Sequence, residues 1–166
     1  MGREGEPIIR AMTIEYSEAK EIGEVALASL YGAVGWSSGR DTGVLRAALA
    51  GSHAVVTAWD GEALVGLGST LSDGHLVVYY SHLLVHPDYQ RSGIGGAIVG
   101  RLAAMYEGFH QHILVAAAGG SVEFYETQGF KVGSGTAMWQ VGFWAVGDGT
   151  GDGLTTDVPG SRPSPG

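Results

Sequence analysis

Cysteine is absent from the 166 residues, which excludes disulfides, thiolate metal sites and a cysteine nucleophile together. Positive charge is scarce too. Nine Lys and Arg, only two of them lysines, face 17 Asp and Glu, for a net charge of −8. No basic stripe exists to track a phosphate backbone, so nucleic acid is not an expected partner. A chain of this sign repels polyanions and mildly favours cationic partners such as amines. No apolar run reaches the roughly 18 residues that a membrane helix needs. Met1 to Arg10 carries Glu4 and Glu6 rather than the apolar core of a signal peptide. The expectation is a soluble, cytoplasmic protein with no membrane partner.

Glycine is what the chain has in excess. Its 29 residues are well over twice the usual share of about 7%. No G-X-Y period runs through them, so collagen is excluded and each glycine is read locally. With 45% hydrophobic and 16% charged residues the composition is globular, and the length suits one domain. Gly147 to Gly166 holds six glycines, three prolines and only Leu154 and Val158 as aliphatic residues. Such a segment cannot offset its ordering entropy, so it is expected to be a flexible tail behind a single domain within residues 1–146.

Along the body the hydrophobic period alternates between strand and helix. Ile8 to Tyr16 reads as a strand, and Ser17 as the cap of a helix carrying Ile22, Val25, Ala26, Ser29 and Leu30. Gly35 to Gly39 breaks it, and Asp41 caps a short helix with Val44, Leu45, Ala48 and Leu49. His53 to Trp59 and Ala63 to Thr70 form a hairpin about Asp60-Gly61, and Asp73-Gly74 turns into a long β run from His75 to Val85. Gly93 to Tyr106 is helical on a stripe of Ile94, Ala97, Ile98, Leu102 and Met105. A buried strand from Ile113 to Ala117, a helix from Ser121 to Thr127 and a strand from Thr136 to Trp144 complete the order. A meander feeding β-α-β-α predicts an α/β domain with a mixed sheet and helices on both faces.

The informative segment is the turn Gln90-Arg91-Ser92-Gly93-Ile94-Gly95-Gly96, where a helix begins right after a strand. Unpaired N–H groups of the first helical turn, approachable past glycines and favoured by the helix dipole, suit a phosphate. The turn lacks the G-K-[S/T] of a Walker loop. Ile98 stands where a dinucleotide fingerprint needs its third glycine. A glycine-rich helix start with no ligand is the plain alternative.

With Gln90, Gly93 and Gly95 in place, this turn resembles the [Q/R]-x-x-G-x-[G/A] signature of the GNAT superfamily of acetyl-CoA-dependent N-acetyltransferases. The strand from Tyr80 to Pro87 is similar to the family's fourth strand. Phe124-Tyr125-Glu126-Thr127-Gln128-Gly129-Phe130 is similar to its F-Y-x-x-x-G-F. The resemblance covers residues 7 to about 144, and implies a mixed, mostly antiparallel sheet with splayed central strands.

It further implies that acetyl-CoA is the co-substrate, with no metal. Leu84 and Val85 would bond its pantetheine arm through the main chain, and Arg91, Ser92, Gly93, Ile94, Gly95 and Gly96 would cradle the pyrophosphate. Gly95→Val would then weaken CoA at least about tenfold, or 1.4 kcal/mol. Tyr125 would contact the cofactor and protonate the departing thiolate, although an aromatic that only packs is the alternative. His82 stands where relatives often carry an acidic base on the fourth strand. It is read as a general base for the amine or as a hydrogen-bonded histidine at the sheet edge. His86 is expected to cap the strand end. Ala118 replaces an asparagine that relatives frequently use on the pantetheine.

The acceptor would meet Tyr31 and Trp36 in the loop after the first helix. Tyr80, two residues from His82 on the strand, is expected to line the same cleft. Core packing would account for any of these aromatics equally well. His110-Gln111-His112 has no carboxylate nearby and is discounted as a metal site. The expected activity is acetyl transfer to a primary amine, most simply that of a small molecule, with arylalkylamines as one class. Protein N-termini or lysines, or a non-catalytic acetyl-CoA-binding module, are the alternatives. Pairing into a homodimer stays open.

Overall fold

The computed structural model describes residues 13–116 and 121–137. The expected strand portion at residues 8–12, Ala117 to Gly120, nearly all of the last expected strand and the tail lie outside these residues. Five strands form one sheet in the order β1-β2-β3-β4-β5: β1 (Ile14–Ser17), β2 (Ala54–Asp60), β3 (Ala63–Ser72), β4 (Val77–Val85) and β5 (Gln111–Leu114). The first four pair antiparallel, and β5 runs parallel to β4. The mixed, mostly antiparallel sheet is as expected.

Helices α1 (Glu24–Val34) and α2 (Thr42–Gly51) cover one face. Leu27, Leu30 and Tyr31 of α1, with Leu45 and Leu49 of α2, pack on Val55, Leu67 and Leu84. On the other face lies α3 (Ile94–Ala104), whose Ile94, Ile98 and Leu102 join Tyr106 against Val56, Ala58, Val78 and Tyr80. The close approach of α3 depends on two glycines of β3. A Cβ on Gly66 would stand 2.9 Å from Ile94 and Ile98 side chains, and one on Gly68 would stand 2.5 Å from Ile98. A short helix α4 (Ser121–Thr127) follows β5.

Three sequence expectations need correction. Ser17 does not cap α1, because it ends β1; the helix begins after Gly23, so its buried stripe is Leu27, Leu30 and Tyr31 while Val25 is 85% exposed. Met105 lies past the last turn of α3, and Tyr106 fills the core place expected of it. Ile113 of β5 is exposed rather than buried. Local turn chemistry, by contrast, is where it was expected. Asp41 caps α2 by accepting from the Val44 N–H at 3.0 Å, and Gly35 ends α1 in the left-handed region.

At the β3–β4 turn the Asp73 Oδ1 accepts from the N–H groups of His75, Leu76 and Val77 at 2.9–3.0 Å. These bonds favour the charged form and hold the carboxyl at about 2. A carboxyl near 3.9 when unfolded therefore adds stability that is full above about pH 4 and lost as pH falls toward 2. Asp73→Asn is expected to be less stable than the parent at pH 7, with the gap closing toward pH 2. Urea midpoints at both pH values check this.

Candidate active site

The site is made where two neighbouring strands part. β5 pairs with β4 from Val77↔Gln111 to Tyr80↔Leu114 and no further, while β4 continues to Val85 along β3. Among the described residues the β5 side of β4 is thus an open edge from Ser81 onward. The divergence coincides with a bulge. Ser69 pairs with His82 but Thr70 pairs with Tyr80, so Ser81 is an extra residue in β4. Its hydroxyl is tied to Ser69, with Oγ to Oγ at 2.9 Å and a bond to the Ser69 carbonyl at 3.2 Å.

An extra residue reverses which face the following side chains take. Tyr80 packs in the α3 core, whereas His82 turns to α1 and Leu84 joins the α1–α2 core. The expectation that Tyr80 and His82 share one cleft is therefore wrong. Tyr80 meets Phe130 edge-on at 5.3 Å and bonds His112 Nδ1 at 2.9 Å on the other face. Burial pushes its phenol up to about 12, with Tyr106 adding to the shift.

On the α1 face three expected site residues do come together. The Tyr31 hydroxyl lies 2.6 Å from His82 Nδ1, and Trp36 stands edge-on to both rings, at 5.5 Å from His82 and 6.1 Å from Tyr31. Tyr31 is fully buried, so it cannot offer a ring face to an acceptor as expected; half-buried Trp36 can. Burial raises the Tyr31 phenol far above its ordinary value and lowers His82. Close packing of Tyr31 has its own sequence cause, since a Cβ on Gly39 would stand 2.5 Å from the Tyr31 Cβ.

Beyond β4 the chain makes the expected turn. His86 Nδ1 accepts from the Asp88 N–H, capping a 3-10 turn at Pro87–Tyr89. Gln90 reaches back to donate from Nε2 to the Val85 carbonyl at 3.1 Å. That carbonyl has a second lone pair for a ligand. Arg91 and Gly93 take φ of 60° and 88°, which folds the backbone tightly into α3. Since the first helical bond is Ala97 N–H to the Gly93 carbonyl, the N–H groups of Ile94, Gly95 and Gly96 have no acceptor within the helix.

The glycines at 95 and 96 have a reason the sequence did not suggest. A Cβ on Gly95 would meet Phe124 at 3.3 Å, and one on Gly96 would meet Gln128 at 3.2 Å. They seat α4 on α3, so Gly95→Val would disturb α4 as well as any ligand. The second motif then reads physically. Phe124 rests on Gly95, and Gly129 at φ 91° ends α4 so that Phe130 folds back onto Tyr80. Tyr125 lies between Phe124 and Phe130, and its phenol is raised by burial first and by Tyr79 second. Among the described residues its hydroxyl has no hydrogen-bond partner and is not sealed from solvent. Tyr125 also lines a cavity of about 570 Å³ between β5 and α4. No metal-binding group of side chains exists among the described residues, nor any helix long and apolar enough to cross a membrane.

Among the described residues, an unpaired stretch of the fourth strand thus runs into a glycine-rich helix start. The sequence model of the acetyltransferase (GNAT) domain matches residues 32–146, and the chain belongs to this family. Among solved structures it is similar to a GNAT family acetyltransferase from Streptococcus pneumoniae, with 29% identity and a TM-score of 0.70 over 79% of this chain and 99% of that one. An aminoglycoside acetyltransferase from an uncultured soil sample shares the fold at 18% identity and a TM-score of 0.58, over 77% and 93% of the two chains. Glucosamine-6-phosphate N-acetyltransferase from Arabidopsis thaliana does so at 13% and 0.58, over 78% and 99%. No curated protein sequence matches the chain.

Proposed function

We propose that this acetyltransferase moves the acetyl group of acetyl-CoA directly to a primary amine of a small molecule. The observation that carries the reading is the β4 edge left unpaired past Tyr80 among the described residues, which leads to the first turn of α3. A pantetheine arm has amide groups that can pair with Leu84 and Val85 as an added strand would. The pyrophosphate fits the N–H groups from Arg91 to Gly96, with the Arg91 guanidinium beside it. Trp36 gives the acceptor a flat apolar wall that also suits a cation.

In the transfer the amine nitrogen bonds to the acetyl carbon and the carbon–sulfur bond breaks. Tyr125, kept protonated by burial, gives its proton to the departing thiolate. What His82 contributes is set by its bond to Tyr31.

Incubation with acetyl-CoA and a panel of amines, read by free thiol release, tests the proposal. Turnover with small primary amines supports it. Binding without turnover on any amine would make the chain a non-catalytic acetyl-CoA module, and turnover on peptides alone would move the acceptor to protein. A narrower prediction concerns the cradle. Arg91→Gly keeps the positive φ that glycine tolerates and removes the cation. Acetyl-CoA affinity should fall about three- to tenfold with the melting temperature unchanged, as calorimetry on both counts would show.

A further inference from the structure

Tyrosine hydroxyls meet histidine Nδ1 atoms repeatedly in this fold, yet the pairs are not equivalent. The Tyr106 hydroxyl bonds His53 but also has Thr70 Oγ1 at 2.6 Å. Tyr31 has no such second neighbour. Among the described residues the single partner of its hydroxyl is His82 Nδ1 at 2.6 Å, and the residue is 0% exposed.

That geometry decides where the protons sit. A buried O–H left without an acceptor costs about 1–3 kcal/mol, and Nδ1 is the acceptor in reach. To accept, Nδ1 must be the bare nitrogen of a neutral imidazole, so the ring carries its own proton on Nε2. No buried side-chain nitrogen or oxygen lacks a partner among the described residues, and Nε2 has none, so Nε2 is not sealed from solvent. A charged ring would carry hydrogens on both nitrogens and set Nδ1–H against the Tyr31 O–H, leaving one donor unsatisfied. Burial of the ring acts in the same direction. Tyr31 from α1 is the titratable group against His82, Ser69 of β3 is its cross-strand neighbour, and no charged side chain among the described residues bonds to it.

We infer that Tyr31 holds His82 neutral with its proton on Nε2, so that His82 donates a hydrogen bond to the thioester carbonyl oxygen instead of accepting the ammonium proton. This deepens, and rests on, the acetyl transfer proposed above. The amine first loses its extra proton to water. As the carbon–nitrogen bond forms, the carbonyl electron pair moves onto oxygen, where Nε2–H meets the developing charge. The pair returns as the carbon–sulfur bond breaks, the sulfur takes the Tyr125 proton, and the nitrogen loses its second proton to water, from which Tyr125 is reprotonated. His82 is a catalytic residue in this account and Tyr31 a positioning residue.

Long-range proton–nitrogen correlation spectra of the protein labelled at histidine nitrogens test the assignment, with the His82 signals identified by their loss in His82→Gln. The expected result is a proton on Nε2, a bare Nδ1 and no titration of the ring from pH 6 to 8. A proton on Nδ1, or an imidazolium in that range, overturns the inference. Thiol-release kinetics give a second readout. His82→Gln keeps a side-chain N–H and should stay within about tenfold of the parent, while His82→Ala falls about 10²-fold. Equal losses in the two variants, together with a rate limb in the parent that vanishes in both, would make His82 a base. Tyr31→Phe should free the ring to exchange tautomers and bring in a titration nearer 6.5. The spectra need no turnover, so failure to find an acceptor amine would count against the proposed activity and leave this result standing.

Discussion

Tyr125→Phe is expected to lower kcat about 10²-fold, the low end for a lost general acid, with acetyl-CoA affinity within about twofold. Phenylalanine keeps the ring that sits between Phe124 and Phe130, so α4 should stay seated and the binding surface intact. What is removed is one O–H that has no partner among the described residues and that, in the proposed role, meets charge when the thiolate departs. An interaction made in the transition state and not in the ground state appears in kcat and spares binding. Burial keeps the phenol protonated at neutral pH, so the proton is in place when the carbon–sulfur bond breaks. Turnover by thiol release and affinity by calorimetry, on the same preparation, separate the two effects. Full activity in the variant would remove the acid role and leave catalysis to positioning.

How much of this site could be read in the sequence depends on how local its causes are. Asp41, Asp73, Gly35 and Gly93 act on their own few residues, and the turns and helix ends they set are where the sequence puts them. Ser17 resembles a helix cap because its hydroxyl accepts from the nearby Ala19 N–H in a turn, which satisfies the same side-chain chemistry. The bulge at Ser81 is harder to foresee. Both faces of β4 meet a core, so its side chains show no clean alternation whose interruption could be noticed. Strict two-residue alternation puts Tyr80 and His82 on one face, and the bulge separates them. The Tyr31–His82 bond joins residues 51 apart, and no spacing rule reaches that far. Both residues carry a weaker sequence signal, as candidates for chemistry; what the sequence lacks is their pairing and the burial of Tyr31.

The other large effect expected is structural, and it ties the sheet to the first turn of α3. Gly68→Val places a Cβ 2.5 Å from Ile98 Cγ2 and 2.9 Å from Leu102 Cδ1. The Leu102 methyl ends a flexible side chain and can turn aside. Ile98 Cγ2 branches at Cβ, so it moves only if α3 moves. Overpacking of this kind costs about 1–3 kcal/mol, and valine adds two further methyls, which puts the expected loss at the upper end. A melting temperature lower by about 6–12 °C follows for a chain of this size. Displacing α3 also carries its first turn away from β4, and the N–H groups of Ile94, Gly95 and Gly96 with it, so acetyl-CoA should bind about tenfold more weakly. Gly100→Ala is the matching control, since it lies on the same helix with nothing within 4 Å of an added Cβ. That change should leave binding alone and stabilise by up to about 1 kcal/mol through helix propensity. Thermal unfolding and calorimetry on the pair decide the matter: a Gly68→Val protein that melts with the parent would mean that α3 does not depend on the bare backbone of β3 for its close seat.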